Sequence, residues 1–250
     1  MKTVGVIPAR YQSSRFPGKP LLDLNGTPMI IRVANIVEKA IGKKNTYIAT
    51  DDDRIRETVE SYGFNVIMTS ADCLTGTDRV YEFSKQIKAD IYVNIQGDEP
   101  LLNYKDIQKV IDYKQKNINY VINGMCSLSS EEDPHNINIP KVLVNKSNQL
   151  IYISRLPIPG FKNPHKFSSI NYKKQVCIYA FTEKELNAYG SESKKSKYEN
   201  IEDIEILRFF ELSIPIKMIE TSSQSMAIDI PEDVEKVETE LIKLEGNLKK

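Results

Sequence analysis

Through the first 120 residues, short apolar runs alternate with amphipathic stretches, and few folds accept that rhythm. Residues 3–7, 45–50, 65–68 and 91–95 read as strands. Residues 28–39, 53–62, 78–87 and 104–116 have helical spacing; Ile30, Ile31, Val33 and Ile36 share or border one face of the first, and Gly63 follows the second as a C-cap. Such β-α-β alternation argues for an α/β protein with a parallel sheet and helices on both faces. Ligands of these sheets bind beyond the carboxyl ends of the strands. The two polar loops that directly follow strands, residues 8–19 and 96–100, are therefore expected on one edge of the sheet.

The second half is less regular. Residues 121–128, 140–145, 149–154, 175–181 and 214–219 look like strands, and 201–212 and 231–244 like helices, the latter with Pro231 in its first turn. Residues 157–174 read as a long loop or arm, 191–197 as a Lys-rich surface loop, and 246–250 as a fraying tail. No linker or repeat divides the chain, so one domain over 1–250 is expected, the mixed second half extending the first-half sheet.

Composition excludes several roles. The 34 basic and 34 acidic residues balance to a net charge of zero, which argues against a nucleic-acid binder that relies on bulk charge. The three cysteines form no C-x-x-C pair, and with two histidines neither a zinc site nor a disulfide framework is indicated. No leader-like segment or long apolar stretch occurs, so no membrane association is expected, and a reducing, cytoplasmic setting fits best.

The loop after the first strand holds Arg10, Arg15 and Lys19 among the small residues Ser13, Ser14 and Gly18. A strand feeding a cationic, small-residue loop and then a helix can cradle an anion, with backbone N–H groups and fixed charges pointing at it. Three cations this close repel unless a polyanion compensates them, and a nucleoside triphosphate does so. The loop is neither a Walker A loop nor G-x-G-x-x-G. The stretch QGDEP at 96–100 sets Asp98 beside a glycine at a strand end. That presents a carboxylate to a divalent metal, or makes a capped turn. Asp229, before Pro231, is a helix cap or a second metal carboxylate that could share an ion with Asp98. Residues 75–79 (TGTDR) precede a helix and can cap it or touch a base or phosphate.

Taken together these stretches resemble the 3-deoxy-manno-octulosonate (Kdo) cytidylyltransferases, or CMP-Kdo synthetases. The resemblance rests on residues 7–21 (IPARYQSSRFPGKPL), Ala49-Thr50-Asp51, 75–79 (TGTDR), 94–100 (NIQGDEP) and 229–233 (DIPED). Weaker matches are 152–155 (YISR) and 201–208. All appear in family order over nearly the whole chain. The resemblance implies a Rossmann-like nucleotidyltransferase fold, with a nucleotide-binding half over 1–120, a sugar-binding and dimerising half with a protruding arm over 121–230, and a C-terminal helix and tail over 231–250.

It also implies chemistry. The anomeric hydroxyl of an acidic 3-deoxy-2-keto sugar attacks the α-phosphate of CTP, pyrophosphate leaves, and the CMP-sugar serves lipopolysaccharide or capsule assembly. The implied catalytic residues are Lys19, Arg10 and Asp98, and Asp98 and Asp229 hold Mg²⁺. CTP contacts fall on Pro8, Ala9, Arg10, Ser13, Arg15, Lys19, Thr50, Asp51, Thr75, Gly76, Arg79 and Gln96. Sugar contacts fall on Gln96, Arg155, Gln175, Tyr179 and an acidic residue of 201–208, Glu202 in preference to Glu205. Asn138 and Lys141 match an N-x-x-K stretch. A homodimer is implied.

Two positions depart from the family pattern H-L-G-[IV]-Y-[GA]-[YF]: Gln175 stands in place of its histidine and Cys177 in place of its glycine. Gln175 cannot carry the charge a histidine can. A modified octulosonate or a nonulosonic acid is then an alternative acceptor. A non-catalytic nucleotide-binding protein is the other alternative, and the presence of Lys19, Asp98 and Asp229 counts against it.

Overall fold

The computed structural model describes residues 1–12, 16–130, 132–162, 171–222, 226–228 and 230–247, the side chains of 245–247 excepted. Strand β1 (Thr3–Ala9) leads through the cationic loop and a short 3-10 turn, Lys19–Leu21, into a two-stranded hairpin of β2 (Asp23–Leu24) and β3 (Thr27–Pro28). Then follow α1 (Met29–Ile41), β4 (Thr46–Thr50), α2 (Asp53–Ser61), β5 (Asn65–Met68), α3 (Gly76–Gln86), β6 (Ile91–Ile95) and α4 (Tyr104–Lys116). The second half contributes β7 (Val121–Ser127), β8 (Lys141–Val144), β9 (Leu150–Ser154), β10 (Lys173–Phe181), α5 (Glu183–Tyr189), α6 (Lys197–Glu202), α7 (Leu207–Glu211), β11 (Ile216–Glu220) and α8 (Val234–Asn247).

One sheet runs through both halves, in the order β11-β7-β10-β6-β1-β4-β5, with β8 and β9 attached beyond β10. The pairs β6–β1, β1–β4, β4–β5 and β11–β7 are parallel, whereas β10 runs antiparallel to both β6 and β7. The seven-strand path is therefore mostly parallel with one reversed strand, β10, at its centre, and the attached β8 pairs antiparallel with both β10 and β9.

Strand residues alternate between two cores, which explains why these strands read as unbroken apolar runs. Ile7, Ile48, Ile91, Val93 and Ile95 pack under Ile30, Val33, Ile55, Ile107 and Val110 of α1, α2 and α4. Val4, Val6, Ala49, Tyr92 and Phe181 pack under Val80, Phe83, Leu186, Leu207 and Phe209 of α3, α5 and α7. At Gly5 the contact with α1 is too close for a side chain: a Cβ there would lie 2.5 Å from a Val37 methyl. A third cluster, Leu24, Met29, Ile228, Val237 and Leu241, seats α8 against the hairpin and carries the chain before Asp229 back to β6.

Several boundaries differ from the sequence reading. Residues 201–212 do not form one helix, because Asp203 adopts a left-handed φ of 50° and ends α6. Lys197, read as loop, starts α6, and Lys173 and Lys174, assigned to the long loop, belong to β10. Residues 231–233 form a 3-10 turn before α8. The opening loop does not run straight into α1, since the hairpin intervenes and the first N–H of α1, at Met29, is spent on the Leu22 carbonyl at 2.8 Å. The central part of the loop, 163–170, lies outside the described residues. No described helix is long and apolar enough to cross a membrane.

Candidate active site

Because β1 and β6 are parallel neighbours, the loops that follow them open on the same edge, as expected. Between them lies a cleft lined by Pro8, Ala9, Arg10, Lys19 and Pro20 from the β1 side, and by Gln96, Gly97 and Asp98 from the β6 side. Its third wall is the first turn of α3 and the approach to it: Cys73, Leu74, Thr75, Gly76 and Arg79. Met29 closes the end. Nine of the residues that the resemblance assigns to substrate or metal (Pro8, Ala9, Arg10, Lys19, Thr75, Gly76, Arg79, Gln96, Asp98) thus share one cleft. Cys73, Leu74 and Met29 join them without any signal in the sequence, since each reads as an ordinary apolar residue.

Lys19 sits at the centre. Its ammonium donates to Asp98 Oδ2 at 2.7 Å and to the Ile228 carbonyl at 2.8 Å. Gly18, with φ of 74°, makes the turn that brings Lys19 inward. The Ile228 N–H in turn donates to the Asp98 carbonyl at 3.0 Å, so the chain one residue before Asp229 is bound to the end of β6. Asp229 itself lies outside the described residues, as do Ser13 and Arg15. The α3 wall is built by a capping box: Asp78 N–H donates to Thr75 Oγ1 at 3.1 Å, and Thr75 N–H to Asp78 Oδ2 at 2.9 Å. One turn on, Arg79 is nearly buried, bonded to Thr69 Oγ1 and paired with Asp51 at 3.1 Å. Asp51 thereby reaches the site through Arg79. Thr50 is fully buried and does not line the cleft.

Behind Gln96 and Gly76 lies a polar cluster, and its members Glu205, Gln175, Cys177 and Tyr179 do not themselves line the cleft. Gln96 Nε2 donates to Glu205 Oε1 at 3.0 Å, and the Thr77 N–H donates to Glu205 Oε2 at 2.9 Å. Burial pushes the Glu205 carboxyl up to about 7, against the pull of the Thr77 hydrogen bonds. Burial raises the Cys177 thiol and the Tyr179 phenol well above their ordinary values, so both stay neutral. Gln175 is buried beside them, its Nε2 donating to Asn123 Oδ1 at 2.9 Å and to Tyr179 OH at 3.4 Å. Asn123 Nδ2 donates to the Val176 and Ile178 carbonyls and holds a bulge in β10 at Cys177–Ile178.

Arg155 and Glu202 come together elsewhere. The Arg155 guanidinium donates to the Glu202, Ile137 and Asp203 carbonyls, and its N–H to Glu202 Oε2 at 2.9 Å. Lys141 is fully buried beneath, donating to the Asn136 and Arg155 carbonyls. In this conformation the group clamps α6 to the 136–138 turn, and none of its members lines the cleft. Of the two acidic candidates in 201–208, Glu205 is the one brought to Gln96.

The donor chemistry suits a hard divalent cation. Asp98 is a partly exposed carboxylate facing the cationic loop, and among the described residues no cluster of three or more His, Cys, Asp or Glu surrounds it. A site that supplies one or two carboxylates and leaves other positions to phosphate oxygens is the habit of Mg²⁺.

Comparison with known proteins identifies the family. The sequence model of the cytidylyltransferase family matches residues 4–219. A 3-deoxy-manno-octulosonate cytidylyltransferase of Escherichia coli is 37% identical over 236 residues, covering 94% of each chain. An 8-amino-3,8-dideoxy-manno-octulosonate cytidylyltransferase of Shewanella baltica (strain OS195) is 35% identical over 252 residues, covering 96% of this chain and 99% of the relative. Among solved structures, a CMP:2-keto-3-deoxy-manno-octonic acid synthetase complexed with CTP superposes with a TM-score of 0.89 at 36% identity, covering 97% of this chain and 99% of that one. The chain therefore belongs to the cytidylyltransferase family, among the 3-deoxy-manno-octulosonate cytidylyltransferases and their 8-amino counterparts, and is a nucleotidyltransferase.

Proposed function

We propose that this chain transfers CMP from CTP to 3-deoxy-manno-octulosonate or a close 3-deoxy-2-keto sugar acid, releasing pyrophosphate. The observation that carries the reading is the Lys19–Asp98 contact at the mouths of two adjacent parallel strands, in a cleft whose other wall is the first turn of α3. The sugar's anomeric oxygen forms a bond to the α-phosphorus, the bond from that phosphorus to the α,β-bridging oxygen breaks, and the hydroxyl proton passes to solvent.

Arg10 and Lys19, with Arg15 of the same loop, offset the charge that builds on the phosphate oxygens. Thr75, Gly76 and Arg79 bound the nucleotide. Gln96, with Glu205, Gln175 and Tyr179 in the polar cluster behind it, supplies hydrogen bonds for the acceptor's hydroxyls. Asp98, with Asp229, would hold Mg²⁺, which supplies charge neutralisation at the phosphate and lowers the pKa of the attacking hydroxyl. Lys19, now bonded to Asp98, has a phosphate oxygen as its alternative partner. A CTP-consuming enzyme with this equipment works in the cytoplasm and feeds lipopolysaccharide or capsule assembly. A homodimer is part of the same reading, supported by exposed Ile137, Leu156 and Ile201 in the second half.

The test is pyrophosphate release with CTP or UTP against 3-deoxy-manno-octulosonate, its 8-amino analogue and a nonulosonic acid, with Mg²⁺ present. Turnover is expected with CTP and one of the two octulosonates. Turnover with the nonulosonic acid alone would replace the acceptor, and none with any of the three would remove the assignment. Asp98→Asn should fold normally and lose about 100-fold or more in kcat.

A further inference from the structure

Arg208 lies in no part of the cleft, yet it is the largest fully buried side chain among the described residues. A guanidinium with no access to water must be matched donor for donor, and this one is. Its Nε and one terminal nitrogen grip Glu199 of α6 as a fork, both at 2.7 Å. The other terminal nitrogen donates to Asp78 Oδ1 of α3 at 2.7 Å and to the Tyr189 carbonyl of α5 at 3.3 Å. The guanidinium plane stacks on the Tyr189 ring at 3.7 Å. Burial works against the charge, and the bonds to Glu199 and Asp78 outweigh it, so the group titrates above its ordinary value.

The network ends on the cleft. Asp78 accepts from Arg208 at Oδ1 and, at 3.4 Å, from its second terminal nitrogen at Oδ2, and Oδ2 also takes the Thr75 N–H at 2.9 Å and its hydroxyl at 2.8 Å. The Thr75 hydroxyl also lies 3.0 Å from the Tyr189 hydroxyl, which reaches Glu199 at 3.1 Å. Thr75 and Gly76 line the cleft, as does Arg79 one residue after Asp78. Arg208 thus fastens α5, α6 and the first turn of α3 at one point, directly behind the wall that faces the cationic loop. A lysine could satisfy one carboxylate there, but it lacks the planar fork that holds two.

We infer that Arg208 is a positioning residue for nucleotide binding: through Asp78 it fixes the Thr75–Gly76 turn and the direction of Arg79 against the bound triphosphate. The inference rests on the CTP reading above. It specifies that loss of the link weakens capture of the nucleotide, not the chemical step.

Two variants test it, Arg208→Lys and Asp78→Asn. The second keeps the shape of its side chain and decides the matter if the first does not fold. Amide hydrogen exchange, measured without nucleotide, should rise about tenfold or more at residues 75–79 in each variant, with the β1 amides unchanged. In pyrophosphate release, KM for CTP should rise about tenfold while kcat at saturating CTP stays within about threefold.

A merely structural Arg208 would lower the melting temperature and leave KM for CTP within twofold below the transition; that result, or unchanged exchange at 75–79, overturns the inference. Failure of the wild-type chain to turn over CTP while exchange at 75–79 responds as stated would instead overturn the CTP reading, and with it the nucleotide part of the inference.

Discussion

Glu205 shows what one carboxyl group can report about this cleft. It is half-buried behind Gln96 and Gly76, between the Gln96 amide and the Thr77 N–H, with the charges of Asp78 and Glu199 near enough to act on it. Burial raises it to about 7 from the usual 4.5. A carboxyl raised in the folded state binds more protons folded than unfolded between those two values. Stability contributed by this group is therefore complete below about pH 4.5 and is lost as pH rises through about 7. In urea melts across pH 5 to 8, the wild type should lose on the order of 2 kcal/mol that Glu205→Gln does not, the Gln96 amide turning over to face the new donor. Parallel stability curves for the two proteins over that range would show that Glu205 ionises without cost. The sequence reading placed Glu202 ahead of Glu205. Which of them faces Gln96 is decided by the left-handed turn at Asp203, and that turn has no signature in IEDIEILRFFEL, where Ile201, Ile204 and Leu207 keep helical spacing straight across it.

Elements were legible in the sequence where burial is simple. The central strands lie between two helical layers, so both faces are apolar and each reads as an uninterrupted run. Helix α5 is only seven residues long and does not stand out in the sequence, although Thr182 and Glu185 spell the capping box that starts it. Buried charge is the feature least visible in sequence. Lys114, near the end of α4, looks like one more solvated lysine among Lys105, Lys109 and Lys116. In the fold it is fully buried, donating to both Glu185 oxygens at 2.7 and 2.8 Å and to the Ile118 and Tyr120 carbonyls. Burial lowers its pKa and Glu185 pulls it back up. The pair joins α4, on one side of the sheet, to the first turn of α5, on the other. Removing one partner leaves a charge without compensation, so Lys114→Ala should cost roughly 3–5 kcal/mol in chemical denaturation. Lys114→Met with Glu185→Gln should recover most of that loss. A single-variant cost under 1 kcal/mol would mean that water reaches Glu185 when the lysine is gone.

At the scale of the molecule, the reversed strand β10 decides how the halves depend on one another. It supplies the edge that β6 pairs with, and its far side pairs with β7. Every residue of β6 is buried, and the loop after it carries Gln96 and Asp98. The backing of the cleft is assembled across the same boundary: Gln96 and Thr77 from the first half meet Glu205 from the second, and Asp98 is bound to Ile228, 130 residues later in the chain. The sequence shows the nucleotide-side motifs because each is a short loop after a strand, whereas this cross-boundary backing is built from single residues scattered through irregular segments. A fragment of residues 1–120 would keep β5-β4-β1-β6 and helices α1 to α4 but would bare the β6 edge, the Phe83 face of α3 and Lys114 together. An uncovered apolar edge strand pairs with whatever strand is available. The fragment should therefore aggregate or remain molten in size-exclusion chromatography and near-ultraviolet circular dichroism, and CTP should give it no thermal shift. Mixing in residues 121–250 during refolding should restore a defined species with the full-length spectrum. A monomeric, cooperatively melting 1–120 fragment that binds CTP would show instead that the parallel half folds alone and that β10 is an addition to a finished nucleotide site.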